Sequence, residues 1–146
     1  MTTKAEERDD RARDQARAQL RGIVETMSAL AKLQDGAKTV SLDGDVVDED
    51  QLRERILEDP LCVEVRSDWH QPGDENQGPS EYRILLCTGG PAVQICGDLN
   101  EHSEPETAVL EFQDWFQPWE PYTDTSDDED EALLEYARQF YYDEGR

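Results

Sequence analysis

Long apolar segments are missing from this sequence of 146 residues. No run approaches the roughly 20 apolar residues that a transmembrane helix needs, so no stretch of it is expected to span a bilayer. The first residues, MTTKAEERDDRARD, are polar and mixed in charge, and they match neither a signal peptide nor a transit peptide. We therefore expect a cytoplasmic protein with no membrane partner.

Basic residues are also scarce, with 14 Lys and Arg against 36 Asp and Glu and a net charge of −22. Residues 1–38 have a net charge of +1, and residues 39–146 have a net charge of −23. Such a field opposes direct binding to nucleic acid or anionic lipid and favours encounter with a basic protein surface. Solubility or halophilic adaptation explains the same excess, and composition alone leaves both interpretations open.

Cysteine and histidine are few and are poorly placed for chemistry. Cys62, Cys87 and Cys96 are separated by 25 and 9 residues, which fits neither CxxC nor a zinc ribbon. Each lies in an apolar segment, which favours buried free thiols on strands. His70 and His102 fall in polar, loop-like stretches. We therefore expect no metal site from these side chains.

Motifs for cofactors and catalysis are absent as well. The segment starting at Asp43, DGDVVDED, resembles a calcium loop, but Val47 and Asp48 occupy its fifth and sixth positions, where a ligand and glycine belong. The glycine pair in CTGGPA fits no phosphate-binding pattern, and no nucleophile elbow is present. The sequence predicts a non-enzymatic protein without a cofactor, and the minority alternative is an enzyme with a cysteine nucleophile, Cys62 or Cys87, assisted by His70 or His102.

The remaining pattern predicts one α+β domain over residues 1–146. Its sheet is expected to be an antiparallel meander of about four strands, because no helical segment separates them to allow parallel crossovers. The turn sequence TGGP between the second and third of these favours a hairpin. The predicted strands are 62–69, 82–87, 92–96 and 107–112.

Three helices are predicted to pack on this sheet. The first spans residues 4–34, with an apolar stripe in its second half formed by Leu20, Ile23, Val24, Met27, Leu30 and Ala31. Its first half has little to bury, so residues 1–15 are expected to project or fray, and residues 4–34 could pair with a second copy. Gly36 is the expected C-cap.

The second helix spans residues 49–58, because Asp48 and Gln51 have the spacing of a capping box and Pro60 follows. The third predicted helix covers residues 131–142. The run 124–131 leads into it, since acids at a helix N-terminus complement its dipole.

The aromatic stretch WFQPWEPY, residues 115–122, has two interpretations. Its rings could close the core under the last helix, or Trp115 and Trp119 could form an exposed anchor, since Trp is frequent in binding hot spots. Pro118 and Pro121 favour an irregular segment that crosses the surface.

Three strings together, ILLCTGGPAVQICGDLNE, LEFQDWFQPW and EALLEYARQFYY, resemble a family of small acidic proteins carried by plasmids, phages and integrative elements of proteobacteria. The resemblance covers roughly residues 60–142 and assigns no functional residue. By analogy, acidic proteins of such elements act against host defence, as anti-CRISPR and antirestriction proteins that mimic DNA do. Mimicry requires carboxylates at phosphate-like spacing facing a basic channel.

We therefore predict an acidic inhibitor that binds a basic protein surface, for example that of a nucleic-acid-binding defence complex. The alternative is a regulatory or assembly module that pairs through its first helix. The partner-binding residues are predicted to form one continuous acidic surface that combines the turn before the last strand, the aromatic stretch and the start of the last helix. They are Glu101, Glu104, Glu106, Asp114, Trp115, Trp119, Asp124, Asp127, Asp128, Glu129, Asp130 and Glu131.

Overall fold

A long helix begins the fold, as the sequence predicts. In the computed structural model, which describes residues 4–73, 78–114 and 117–142 and only the backbone of residues 4–10, helix α1 spans Lys4–Gln34. Gly36 follows it with a φ of 114°, so the predicted C-cap glycine is confirmed. The buried side chains of α1 recur every three or four residues, at Ala12, Ala16, Leu20, Ile23, Met27, Leu30 and Leu33.

Two alanines extend the packing of α1 further toward its N-terminus than the apolar pattern indicates. Ala12 and Ala16 are fully buried, whereas Ala31, a member of the predicted stripe, is exposed. Alanine buries little area and is compatible with either side of a helix, so it does not define a face in sequence. The packed part of α1 begins within residues 1–15, the segment for which the sequence predicts projection or fraying.

A small hairpin and a short helix follow α1. Strands β1 (Val40–Leu42) and β2 (Asp45–Val47) pair antiparallel around Asp43 and Gly44, both with positive φ, as a two-residue hairpin turn requires. Helix α2 spans Glu49–Glu58, as predicted. The Asp48 side chain accepts a hydrogen bond from the Gln51 amide at 2.8 Å, and the Gln51 side chain accepts one from the Asp48 amide, which confirms the capping box.

The main sheet is an antiparallel meander of five strands, one more than the sequence predicts. The α+β class is confirmed. Its strands, in spatial as well as sequence order, are β3 (Cys62–Arg66), β4 (Glu81–Cys87), β5 (Ala92–Asp98), β6 (Val109–Gln113) and β7 (Glu120–Pro121).

The unpredicted strand is β7, which the sequence assigns to an irregular segment because of its prolines. Glu120 lies opposite Phe112, Pro121 lies opposite Glu111, and the Tyr122 amide donates to the Leu110 carbonyl at 2.7 Å. Proline is compatible with an edge strand because only one side of that strand needs hydrogen-bond donors. The prolines therefore place this segment at the edge of the sheet rather than outside it.

The last helix, α3, spans Asp127–Ala137, so both predicted boundaries are wrong. It begins four residues earlier than predicted because Ser126 caps it, and it ends five residues earlier. The change at the end alters which aromatic residue is buried. Tyr142 is buried and donates to the Ala137 carbonyl at 2.5 Å, while Tyr141 is exposed.

Helices α1 and α3, which contact each other, pack on the same face of the sheet. Helix α1 contacts β5 and β6, and α3 contacts α1 and β6. The opposite face, which carries the ion pair between Glu64 and Arg83, is polar. The buried face of the three central strands consists of Tyr82, Ile84, Leu86, Val93, Ile95, Leu110 and Phe112.

Candidate functional site

The first turn of α3 carries four consecutive acidic residues, 127–130, which the sequence predicts as part of the binding surface. Ser126 and Glu129 form a reciprocal capping box, with the Glu129 amide 3.2 Å from the Ser126 hydroxyl and the Ser126 amide 3.0 Å from a Glu129 carboxylate oxygen. Asp130 accepts a hydrogen bond from the Thr125 hydroxyl at 2.6 Å. Glu129 and Asp130 therefore contribute to the start of the helix.

Three other carboxylates of this region are available for a partner. Asp127, Asp128 and Glu131 are exposed, and they form no ion pair or side-chain hydrogen bond within the described part of the chain. Negative charges near the N-terminus of a helix interact favourably with the helix dipole. No basic side chain of the described residues neutralises these three carboxylates. We call Asp127, Asp128 and Glu131 the α3 carboxylates.

A shallow groove of about 280 Å³ lies beside the α3 carboxylates, between α1 and α3. Its α1 side is largely apolar and includes Val24, Met27 and Ala31, and its α3 side includes Asp128 and Glu131. An apolar wall facing a carboxylate row suits the side chains of Lys and Arg, whose aliphatic stems pack on apolar surface while their charged ends reach acids.

The apolar pattern of the sequence does not indicate this groove, because it places Val24, Met27 and Ala31 on the core-facing stripe of α1. The sequence signal that could have indicated the groove is the position of Val24 and Ala31 at the side of that stripe. Residues at the side of a stripe can stay uncovered when a neighbouring helix packs on its centre.

The predicted acidic turn lies elsewhere. Glu101, Glu104 and Glu106 are exposed in the connection between β5 and β6, where Asn100 Oδ1 accepts hydrogen bonds from the His102 and Glu104 amides at 2.8 and 3.0 Å. This turn shares a cavity of about 320 Å³ with residues 138–142, which follow α3.

The two acidic groups are therefore at opposite ends of α3. The helix has 11 residues, which corresponds to roughly 16 Å. The continuous acidic surface that the sequence predicts would therefore have to extend along the length of α3.

The described residues in and next to the aromatic stretch differ in their exposure. Asp114 is only 8% exposed, so its side chain offers little surface to a partner. Trp115 lies outside the described residues, and Trp119 is half-buried just before β7. Asp124 is exposed, with a carboxylate oxygen 3.9 Å from the Arg17 guanidinium.

Arginines of α1 hold this edge of the sheet. Arg17 Nε donates to the Tyr122 hydroxyl at 3.1 Å, and the guanidinium carbon of Arg13 lies 5.8 Å from the centroid of the Phe112 ring. Arg17 and Arg13 thus make contacts within the domain.

The surroundings of Cys87 and Cys96 oppose formation of a thiolate. Cys62, Cys87 and Cys96 are free and partly buried, and burial together with the neighbouring Glu111 raises the pKa of Cys96 to about 12. Burial also raises the pKa of Cys87. Within the described residues no group of His, Cys, Asp and Glu has the arrangement of a metal site. That the protein is not an enzyme stays a prediction.

The fold and the surface define a small acidic α+β domain with a carboxylate-lined groove. The chain matches no protein-family model, no curated protein and no solved structure. None of the described helices combines the length and the apolar character needed to cross a membrane.

Proposed function

We propose that the protein binds a basic surface of a protein partner through the α3 carboxylates and the adjacent groove. The observation that carries this proposal is the group of exposed carboxylates beside an apolar wall, which have no basic partner among the described residues. We further propose that the partner surface normally binds nucleic acid. The protein would then be an acidic inhibitor of a host defence complex, of the anti-CRISPR or antirestriction type, encoded by a mobile element.

The distribution of ion pairs supports this proposal. Most basic residues after position 38 are already paired with acids of the same chain, for example Arg83 with Glu64 and Arg53 with Glu49. Only 6 basic residues stand against 29 acidic ones in residues 39–146, so most carboxylates there have no possible partner in that part of the chain. The resulting field accelerates encounter with a basic surface and weakens as salt is added.

If the acidic residues serve only solubility, the total negative charge matters but the positions of the individual carboxylates do not. Two isosteric variants separate the interpretations. One neutralises the α3 carboxylates (Asp127→Asn, Asp128→Asn and Glu131→Gln). The matched control neutralises the turn (Glu101→Gln, Glu104→Gln and Glu106→Gln). Each variant removes three negative charges, so the two proteins have the same net charge.

The test is quantitative affinity capture from proteobacterial cells followed by mass spectrometry. We expect wild type and the turn variant to retain a common nucleic-acid-binding partner, and the α3 variant to lose it. Capture should also fall steeply as the salt concentration is raised. Equal capture by both variants, or capture insensitive to salt, would contradict a specific role for the α3 carboxylates. Circular dichroism must show that both variants are folded.

Pairing through α1 remains the second proposal, and the structure restricts where it could occur. From Ala12 onward the apolar stripe of α1 is buried in its own domain except at the groove, which the first proposal assigns to the partner, while the helix backbone extends back to Lys4. An α1-mediated dimer would therefore use the turns before Ala12. Deletion of residues 1–10 should then halve the mass in solution, and an unchanged monomer mass for both proteins would exclude homodimerisation.

A further inference from the structure

The two edges of the five-stranded sheet are protected differently. At one end, β7 has two residues and contains Pro121, so it offers little to an added strand. At the other end, β3 has five residues without proline, and in the described part of the chain its sheet neighbour is β4 alone. The outer edge of β3 therefore presents backbone groups that another strand could pair with.

Exposed apolar side chains are frequent in the stretch of chain around β3. Among the described residues, four of the seven exposed large apolar side chains lie within 13 residues of chain: Leu57, Leu61, Val63 and Trp69. Leu61, directly before β3, is 58% exposed, and Val63, in β3, is 37% exposed. Large apolar side chains exposed in and next to an unpaired edge strand favour an interaction surface.

The alternation of β3 shows how an added strand would fit. Val63 lies opposite Ile84 and Val65 lies opposite Tyr82, so both valines are on the face that the helices cover. The helices do not fully cover Val63. Glu64, on the other face, pairs with Arg83 at 2.6 Å and keeps about half of its side chain exposed. A segment that alternates apolar and basic residues would cover Val63 on one face and reach Glu64 on the other.

We propose that the β3 edge takes an extended segment of the basic partner as a sixth strand, with alternating apolar and basic side chains. The inference rests on the proposed function for the charge of that partner. Residues 57–69 contain four acidic residues and one Arg, so their charge also favours a basic segment. A second copy of this chain is disfavoured, because each copy carries −22 and antiparallel pairing centred on Glu64 would place Glu64 against itself.

The probe for this proposal is a synthetic peptide of alternating lysine and valine, capped at both ends. We expect it to slow hydrogen exchange of the β3 amides, with an effect of about tenfold or more at saturation. Two further peptides are N-methylated, one on every lysine and the other on every valine. Because the N–H groups of a strand point alternately to its two sides, one of them should lose binding and the other should retain it.

Variants of the protein locate the site. Val63→Lys should weaken peptide binding about tenfold or more, since a lysine at an edge opposes strand addition. Val46→Lys, at an apolar residue of β2 that is 69% exposed, adds the same charge elsewhere and should change binding by less than about twofold.

The β3 proposal would be overturned if both N-methylated peptides bind, or if none of the three peptides binds. It would also be overturned if the peptide slows hydrogen exchange only near α3, or if the protein without peptide forms a dimer that depends on β3. Protection near α3 alone would leave the proposed function standing. The α3 variant separates the two proposals in the other direction. If this variant still binds the peptide at β3 and still captures the partner, the proposed role of the α3 carboxylates is overturned and the β3 proposal is supported.

Discussion

Gly97 in β5 lies where the backbone leaves no room for a side chain. A Cβ atom built there would lie 2.0 Å from the Thr107 carbonyl oxygen. That oxygen accepts a hydrogen bond from the Tyr82 hydroxyl at 2.6 Å, so a shift of the oxygen would disturb a partly buried contact. The close approach joins β5 to the segment before β6.

We predict that Gly97→Ala lowers the free energy of unfolding by about 2 kcal/mol or more, because backbone atoms must move to accommodate the methyl group. The matched control is Gly22→Ala, at an exposed position of α1 with no atom within 4 Å of the new Cβ. It should raise stability by about 0.5–1 kcal/mol through helix propensity. Urea unfolding measures both, and a stable Gly97→Ala protein would contradict the described packing.

Cys96 provides a residue-scale test of the outer sheet face. Its Sγ lies 3.1 Å from a Glu111 carboxylate oxygen, and burial together with that carboxylate raises its pKa to about 12. The thiol is therefore neutral at pH 8, and its alkylation rate should keep rising beyond pH 10. A free cysteine would level off near its ordinary pKa of about 8.5.

In a protein with Cys62 and Cys87 replaced by serine, we predict slow alkylation of Cys96 at pH 8 and rapid alkylation after unfolding in urea. Glu111→Gln removes the nearby negative charge, lowers the pKa of Cys96 and should accelerate alkylation of the folded protein. A fast native reaction at neutral pH would contradict this environment and favour a reactive, enzyme-like thiol.

Among the helices and strands, the sequence predicts those boundaries that are determined by signals from neighbouring residues. Helix α2 follows from the Asp48 capping box, and the end of α1 follows from Gly36, because both signals act within a few residues. The start of α3 had the same kind of signal, in Ser126 followed by Glu129, but the acidic run after it was interpreted as a lead-in to the helix. The fifth strand could not be found in this way, since β7 owes its pairing to β6 rather than to its own composition.

The cap of α3 also positions the proposed binding surface. We predict that Ser126→Ala costs about 1 kcal/mol of stability, since the Glu129 amide loses its acceptor. Thr123→Ala, at an exposed position before the helix, should have little effect. Thermal unfolding compares the two. Equal stability of the two variants would show that the capping box does not hold the start of α3.

At the scale of the whole molecule, composition predicted the sign of the surface but not its arrangement. The acidic turn around Glu104 lies near the end of α3, whereas the acidic first turn lies at its start, so the helix separates the two groups in space. The sequence predicts Asp114 as a partner-binding residue, and the fold buries it beside the end of β6. Distances between segments depend on how elements pack, which a charge pattern does not contain.

The proposed function requires that the α3 carboxylates and the adjacent groove occupy a partner surface that otherwise binds nucleic acid. Displacement of a fluorescent nucleic acid from the captured partner measures this occupancy. We predict displacement by wild type and by the turn variant, and displacement weaker by about tenfold or more with the α3 variant. Adding salt should reduce displacement by wild type relative to the α3 variant. Equal displacement by the two charge-matched variants would contradict the claim.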